Sequence, residues 1–353
     1  MSARRVRPTV RQVAERAGVS TATVSNALNG TGRLSEATRR RVVDAAHALS
    51  YVPYTSATAQ ARGGTGMLGL TLATHGDLAV PYTQIPYYAE LVLAAIRTAH
   101  YRGYLLTVLP ASMSAWAWLT TPLDGIVHCE PRVHDPIRAI LERRGIPLVF
   151  AGRPLESRRT DAWIDTDDGA VLTELLDHFR AGGATRVAAV LPRHDDAYPT
   201  VLRRAYDDWC ARVGQEPVVA DFDPDLTNTG ESAAVRELLR RSPRPDAVLG
   251  VYTDSGRLAL EAALELGLDV PGDVAVACFS DDPAYVHLDP PVTTVSLRPT
   301  EVGAASVELL IGLVNGRRGL ERQRLLPAEL QVRASSTRTA TPAVRAPRRR
   351  PPR

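Results

Sequence analysis

Thr21, Ala22, Ser25 and Asn26 place methyl, hydroxyl and amide groups within six residues of one another near the amino terminus. On a helix these side chains share the face opposite Val24, Ala27 and Leu28, which point inward. A helix with a small, polar outer face, held at an angle to the helix before it, fits the major groove of DNA. The preceding segment supplies that angle. Thr9 is placed to cap a first helix, with Gln12 three residues on as its capping-box partner. Val10, Val13, Ala14 and Ala17 then recur at helical spacing. Gly18 ends the helix, because glycine takes the left-handed conformation of a sharp turn. Ser20 caps the next helix. The pattern is a helix-turn-helix.

A third amphipathic helix follows from Ser35 through Val42, Val43, Ala46 and Leu49, carrying Arg39, Arg40 and Arg41 together. Ten arginines stand against Glu15, Glu36 and Asp44 in residues 1–64, although the whole chain of 353 residues carries a formal charge of only +3. Positive charge is therefore concentrated where phosphate would be met. All 42 basic side chains are arginine, and this bias runs through the whole chain, so it is compositional and not a mark of a site.

A hydrophobic content of 44% and a charged content of 23% are those of an ordinary globular protein with room for two or three domains. No run is apolar enough to span a bilayer, and no secretory signal follows the first arginines. Cys129, Cys210 and Cys278 are far apart, which points to a reducing compartment, the cytoplasm, and to no zinc site.

Beyond Gly63-Gly64-Thr65-Gly66, short apolar runs alternate with amphipathic helices. Strands are predicted at Met67–Thr71, Leu105–Leu109, Gly125–His128, Leu148–Ala151, Val187–Leu191, Ala247–Val251 and Val274–Phe279. Helices are predicted at Tyr87–Tyr101, Pro136–Arg144, Asp168–Ala181, Pro199–Val213, Glu231–Arg241 and Gly256–Leu266. Such alternation gives parallel sheets covered on both faces, and the length calls for two α/β lobes with a ligand cleft at the carboxyl ends of the strands. The glycines precede the first strand, so they form no phosphate loop. Asp165-Thr166-Asp167-Asp168-Gly169 lacks calcium-loop spacing and is expected to be a solvated loop or helix start. No histidine pair has metal-ligand spacing and no nucleophile elbow occurs, so neither an enzyme nor a cofactor is expected. A transport binding protein is disfavoured because a headpiece stands where a signal peptide belongs.

These residues together carry a resemblance to the lac repressor (LacI) family of bacterial transcription regulators. It rests most specifically on Val13–Ser20, Thr23-Val24-Ser25, Leu28-Asn29, Thr38-Arg39 and Leu49–Pro53. Arg102-Gly103-Tyr104, Leu123–Ile126, Gly145–Pro147, Gly152–Pro154, Arg244–Ala247, Val270–Val274 and Pro290–Val295 extend it along the chain. The resemblance implies an all-α helix-turn-helix headpiece (1–54), a hinge (55–64) and a two-lobed, periplasmic-binding-protein-like α/β domain with parallel sheets (65–338). The Pro- and Arg-rich residues 339–353 are expected to form a disordered tail. The implied partners are an operator duplex, a second copy of the chain and a small-molecule effector, with no membrane.

By the same resemblance, Thr21, Ala22 and Asn26 face base edges, Asn26 through a bidentate contact to adenine and the two methyls against thymine. Thr9, Ser20, Thr23, Ser25, Asn29 and Arg33 hold phosphates. Three departures stand out. The hinge position that usually inserts a leucine into the minor groove is Gln60, a poor apolar wedge. The usual sugar-binding arginine falls on Leu202, with Arg203 beside it; the Asn-Asp pair falls on Tyr252-Thr253, with Asp254 next; and the usual aspartate is Ser280, followed by Asp281. Asp165, Arg203, Tyr252, Asp254, Ser280 and Asp281 are thus the effector-site candidates. Either the ligand is not a common sugar, or the domain only dimerises. Third, the short Pro110–Leu123 connection holds Trp116 and Trp118, expected in a core or at a dimer contact.

Overall fold

The computed structural model describes residues 9–29, 32, 34–49, 64–72, 85–110, 112–132, 135–193, 196–224, 227–280 and 282–338. Arg33, Gln60, Asp281, most of the hinge and the tail lie outside the described residues. The chain divides into two compact units, one holding the amino-terminal helices and one holding both α/β lobes.

In the first unit, α1 (Val10–Ala17) starts at a complete capping box: the Thr9 backbone N–H donates to Gln12 Oε1 at 2.8 Å, and the Gln12 N–H donates back to Thr9 Oγ1. Gly18 ends it at φ 64°, a left-handed conformation that β-carbon sterics make costly for other residues. Ser20 Oγ accepts from the Thr23 N–H at 3.1 Å at the start of α2 (Thr21–Asn29), and Ser35 Oγ does the same for Thr38 at α3 (Glu36–Ala48). Val13, Ala14, Ala17, Val24, Ala27, Val42, Ala45 and Ala46 form the core, with Leu28 partly buried against it. Val10, expected on the inner face, is exposed.

The second unit contains two six-stranded sheets. The first lobe is ordered β11-β5-β4-β3-β1-β2, from β1 (Met67–Leu72), β2 (Leu105–Pro110), β3 (Gly125–Cys129), β4 (Leu148–Ala151), β5 (Trp163–Thr166) and β11 (Gln323–Leu326). The second is ordered β12-β10-β9-β8-β6-β7, from β6 (Val187–Pro192), β7 (Val219–Phe222), β8 (Ala247–Gly250), β9 (Ala275–Cys278), β10 (Thr293–Ser296) and β12 (Glu329–Gln331). The chain crosses between lobes three times, after β5, β10 and β11. Every described pairing is parallel except that of β10 with β12.

In the first lobe, α4 (Pro86–Tyr101) and α11 (Pro299–Val314) pack closely enough that a β-carbon on Gly303 would sit 2.3 Å from the Leu91 carbonyl oxygen. A short helix, α5 (Ala115–Thr120), occupies the connection holding the two tryptophans; Trp118 is 1% exposed and Trp116 is 74% exposed. The remaining helices are α6 (Pro136–Arg144), α7 (Asp168–Ala181), α8 (Ala197–Val213), α9 (Thr229–Arg240) and α10 (Ser255–Glu265). No described helix is long and apolar enough to cross a membrane.

Candidate recognition helix and interlobe cavity

Two places in the molecule gather functional side chains. On α2, one turn of the helix is anchored by Val24 (0% exposed) and Ala27, while Thr21, Ala22, Ser25 and Asn26 are exposed. The division follows from helical geometry, since these four lie on the face away from the α1–α3 core. Gly32, at φ 77°, leaves room beside Asn26: a β-carbon there would sit 3.2 Å from the Asn26 amide nitrogen. Thr9 and Ser20 are exposed at the starts of α1 and α2, and both already serve as caps. Thr23 is half-buried with its hydroxyl 2.9 Å from that of Ser20. Asn29 closes α2.

The second place is a cavity of about 250 Å³ between the two lobes of the α/β unit. The strand register builds it. Pairing of Cys129 with Ala151, and of Ala151 with Ile164, brings Glu130, Gly152 and Asp165 to the same end of the first sheet. Pairing of Gly250 with Cys278 does the same for Tyr252 and Ser280 in the second. The cavity thus lies beyond the carboxyl ends of both sheets, where parallel α/β folds place ligands.

Four expected effector residues, Asp165, Tyr252, Asp254 and Ser280, line this one cavity. Arg203 does not; its guanidinium pairs with Asp221. The reason is helical phase. Ala197, Tyr198 and Val201 of α8 face the cavity, Leu202 is 1% exposed in the second-lobe core, and Arg203 lies well round the helix from Val201.

Sequence reasoning missed Glu130, Asp168, Tyr87, Tyr88, Tyr198, Phe222, Asn228 and Glu231, all of which line the cavity. The acidic run at 165–169 is the end of a strand and the expected helix start, not a solvated loop. Asp165 and Thr166 belong to β5, Asp167 caps α7 by accepting from the Ala170 N–H, and Asp168 is 9% exposed. The signal for Glu130 was its place directly after a strand.

The electrostatics of the cavity are unusual. Burial pushes the Glu130 carboxyl up to about 7, opposed by the Tyr88 hydroxyl that donates to it and reinforced by Asp196 and Asp165. Burial raises Asp165 to about 6 against its backbone N–H donors and Arg153. Asp168 is raised too, by burial and then by Asp165. Among the described residues no cluster of His, Cys, Asp and Glu is arranged to hold a metal ion.

Residues 9–54 match the model for bacterial regulatory proteins of the lacI family, and residues 176–336 match a periplasmic binding protein-like domain. The chain carries a lacI-family DNA-binding domain followed by a periplasmic binding protein-like domain. It is 29% identical over 347 residues to the HTH-type transcriptional regulator CelR of Thermobifida fusca, covering 94% of this chain and 99% of that one. It is 26% identical over 331 residues to the ribose operon repressor of Escherichia coli strain K12, covering 90% and 96%. Among solved structures, a CelR–cellobiose complex matches with a TM-score of 0.70 at 27% identity, covering 93% of this chain and all of that one. The lac repressor dimer bound to operator and the anti-inducer ONPF shares the fold, with a TM-score of 0.80 at 22% identity, covering 94% and 99%. The chain therefore joins a DNA-binding helix-turn-helix to an effector-type domain, and its relatives are transcription regulators.

Proposed function

We propose that the chain is a cytoplasmic, sequence-specific repressor that binds a pseudo-palindromic operator as a homodimer and answers to a small molecule held between its lobes. The observation that carries the DNA reading is the outer face of α2, where Thr21, Ala22, Ser25 and Asn26 stand exposed over a packed three-helix core. Thr21 and Ala22 then touch thymine methyls and Asn26 reads adenine, while Thr9, Ser20, Thr23, Ser25, Asn29 and Arg33 hold phosphates. Gln60 contributes at most a hydrogen bond in the minor groove, so the operator is bent less than an apolar wedge would bend it.

A homodimer is supported by large exposed apolar residues on the first lobe: Leu93, Ile96 and Tyr101 on α4, Leu105 on the edge strand β2, and Trp116 and Leu119 on α5. Large exposed apolar residues and an open sheet edge are what association covers. The relative CelR, solved with cellobiose, and the lac repressor dimer, solved on its operator, support effector control and dimeric binding.

The test is Asn26→Ala in the full chain. Binding to a selected operator should lose discrimination at one base pair per half-site by roughly 5- to 150-fold. An equal loss of affinity on every sequence would show that Asn26 touches only the backbone.

A further inference from the structure

The interlobe cavity gathers negative charge and aromatic faces with almost nothing positive beside them. Glu130, Asp165, Asp168, Glu231 and Asp254 line it against one guanidinium, that of Arg153. Arg153 is shared: its guanidinium lies 5.5 Å from the centroid of the Trp163 ring, and its charge is felt by Asp165. Asp254 is neutralised by Arg257, at 2.8 Å, from outside the lining. Among the described residues no cation acts on Glu130 or Asp168, whereas Asp165 feels the Arg153 charge and accepts from the Arg153 backbone N–H. Their other partners are the Tyr88 hydroxyl on Glu130, the Thr166 hydroxyl on Asp168 and the Thr166 backbone N–H, 2.9 Å from Asp165.

Carboxylates in a site of low polarity are stable only when paired or protonated. Burial raises all three, and for Glu130 and Asp168 no cation opposes it. The walls add a second, independent feature. Tyr87 and Tyr88 meet edge to face at 5.4 Å, and Phe222 meets Tyr252 the same way at 5.8 Å, with Tyr198 beside them. Aromatic faces carry the negative side of the ring quadrupole and attract ammonium groups. Acidic groups and ring faces therefore select the same sign of charge.

We propose that the effector is a small organic cation, a protonated amine or quaternary ammonium on a compact body. This rests on reading the cavity as the effector site. A neutral sugar would meet the carboxyls through its hydroxyls without favouring their ionised form, which a cation does. An anion would meet carboxylates on both lobes.

The experiment measures thermal melting of the full-length chain at neutral pH with matched pairs: choline against its uncharged carbon isostere, and glucosamine against glucose, with cellobiose as a neutral disaccharide. At saturation at least one cationic member should raise Tm by roughly 3 °C or more while its neutral partner does not. Asp168→Asn and Glu130→Gln should each weaken that cation at least about tenfold. Stabilisation by glucose or cellobiose with no response to the cations, or equal shifts within each pair, would leave the cavity as an effector site and overturn the cationic ligand. No shift from any compound would overturn both, leaving a domain that serves dimerisation alone.

Discussion

Replacing Glu130 with glutamine should stabilise the ligand-free protein, and should do so in a strongly pH-dependent way. The carboxyl faces Tyr88, Asp165 and Asp196, and its charge is also felt by Tyr87, Asp168 and Tyr252. Its acid constant rises from the ordinary 4.5 to about 7 in the folded chain, chiefly through burial. A carboxyl raised in the fold supplies stability below its unfolded value and loses it as pH climbs through the folded one. At about 1.4 kcal/mol per unit, the ionised group costs the fold roughly 3 kcal/mol at about pH 8. Water in the open part of the cavity relieves some of this, so a gain of about 1–3 kcal/mol is expected for Glu130→Gln. The amide keeps an oxygen to accept from Tyr88. For a domain of this size the gain corresponds to roughly 3–10 °C in Tm. At about pH 5 the carboxyl is protonated in the fold, and the gain should shrink below about 1 kcal/mol. Thermal unfolding of both proteins at the two pH values is the assay. An equal gain at both, or a loss at the higher pH, would refute the claim that Glu130 carries its charge in the cavity without a cation beside it.

Gly303→Ala forces a β-carbon against the Leu91 carbonyl oxygen, where neither backbone can rotate away, so α4 and α11 must part; a loss of about 2 kcal/mol or more in urea unfolding is expected, and an unchanged midpoint would contradict this packing. Trp116→Glu places a charge among these exposed apolar residues without touching the core, because Trp116 is 74% exposed; sedimentation should show a dimer weakened at least about tenfold with the circular dichroism of the fold retained. An unaltered dimer would move the interface elsewhere.

Much of this architecture was legible in the sequence because the elements that carry it are patterned. The capping residues and Gly18 marked the headpiece turn, and six of the seven expected strands, led by Met67–Thr71 and Val187–Leu191, are mostly apolar runs in the covered middles of their sheets, Leu105–Leu109 being an edge. What escaped had no such pattern. Strand β5, Trp163–Thr166, is four residues long and half polar, so it escaped as a strand, and Asp168 read only as a helix start although it lines the cavity. Strand β10, Thr293–Ser296, buries two threonines whose polar groups are satisfied by Arg333, Ser335 and Ser336, partners about forty residues away. Helix α11 is apolar on nearly every side, which removes the amphipathic signal. Tyr87, Tyr198 and Glu231 come from separate helices, and only the closing of two sheets on one cleft brings them together.

The central claim is that the α2 face reads DNA in two symmetric copies. Selection of binding sites from random duplexes by the full-length chain, followed by affinity measurements at two salt concentrations, tests it directly. The account predicts one enriched pseudo-palindrome, bound roughly a thousandfold or more tighter than random duplex, with affinity falling steeply as salt rises. Recovery of no palindrome, or binding to all duplexes alike, would contradict it.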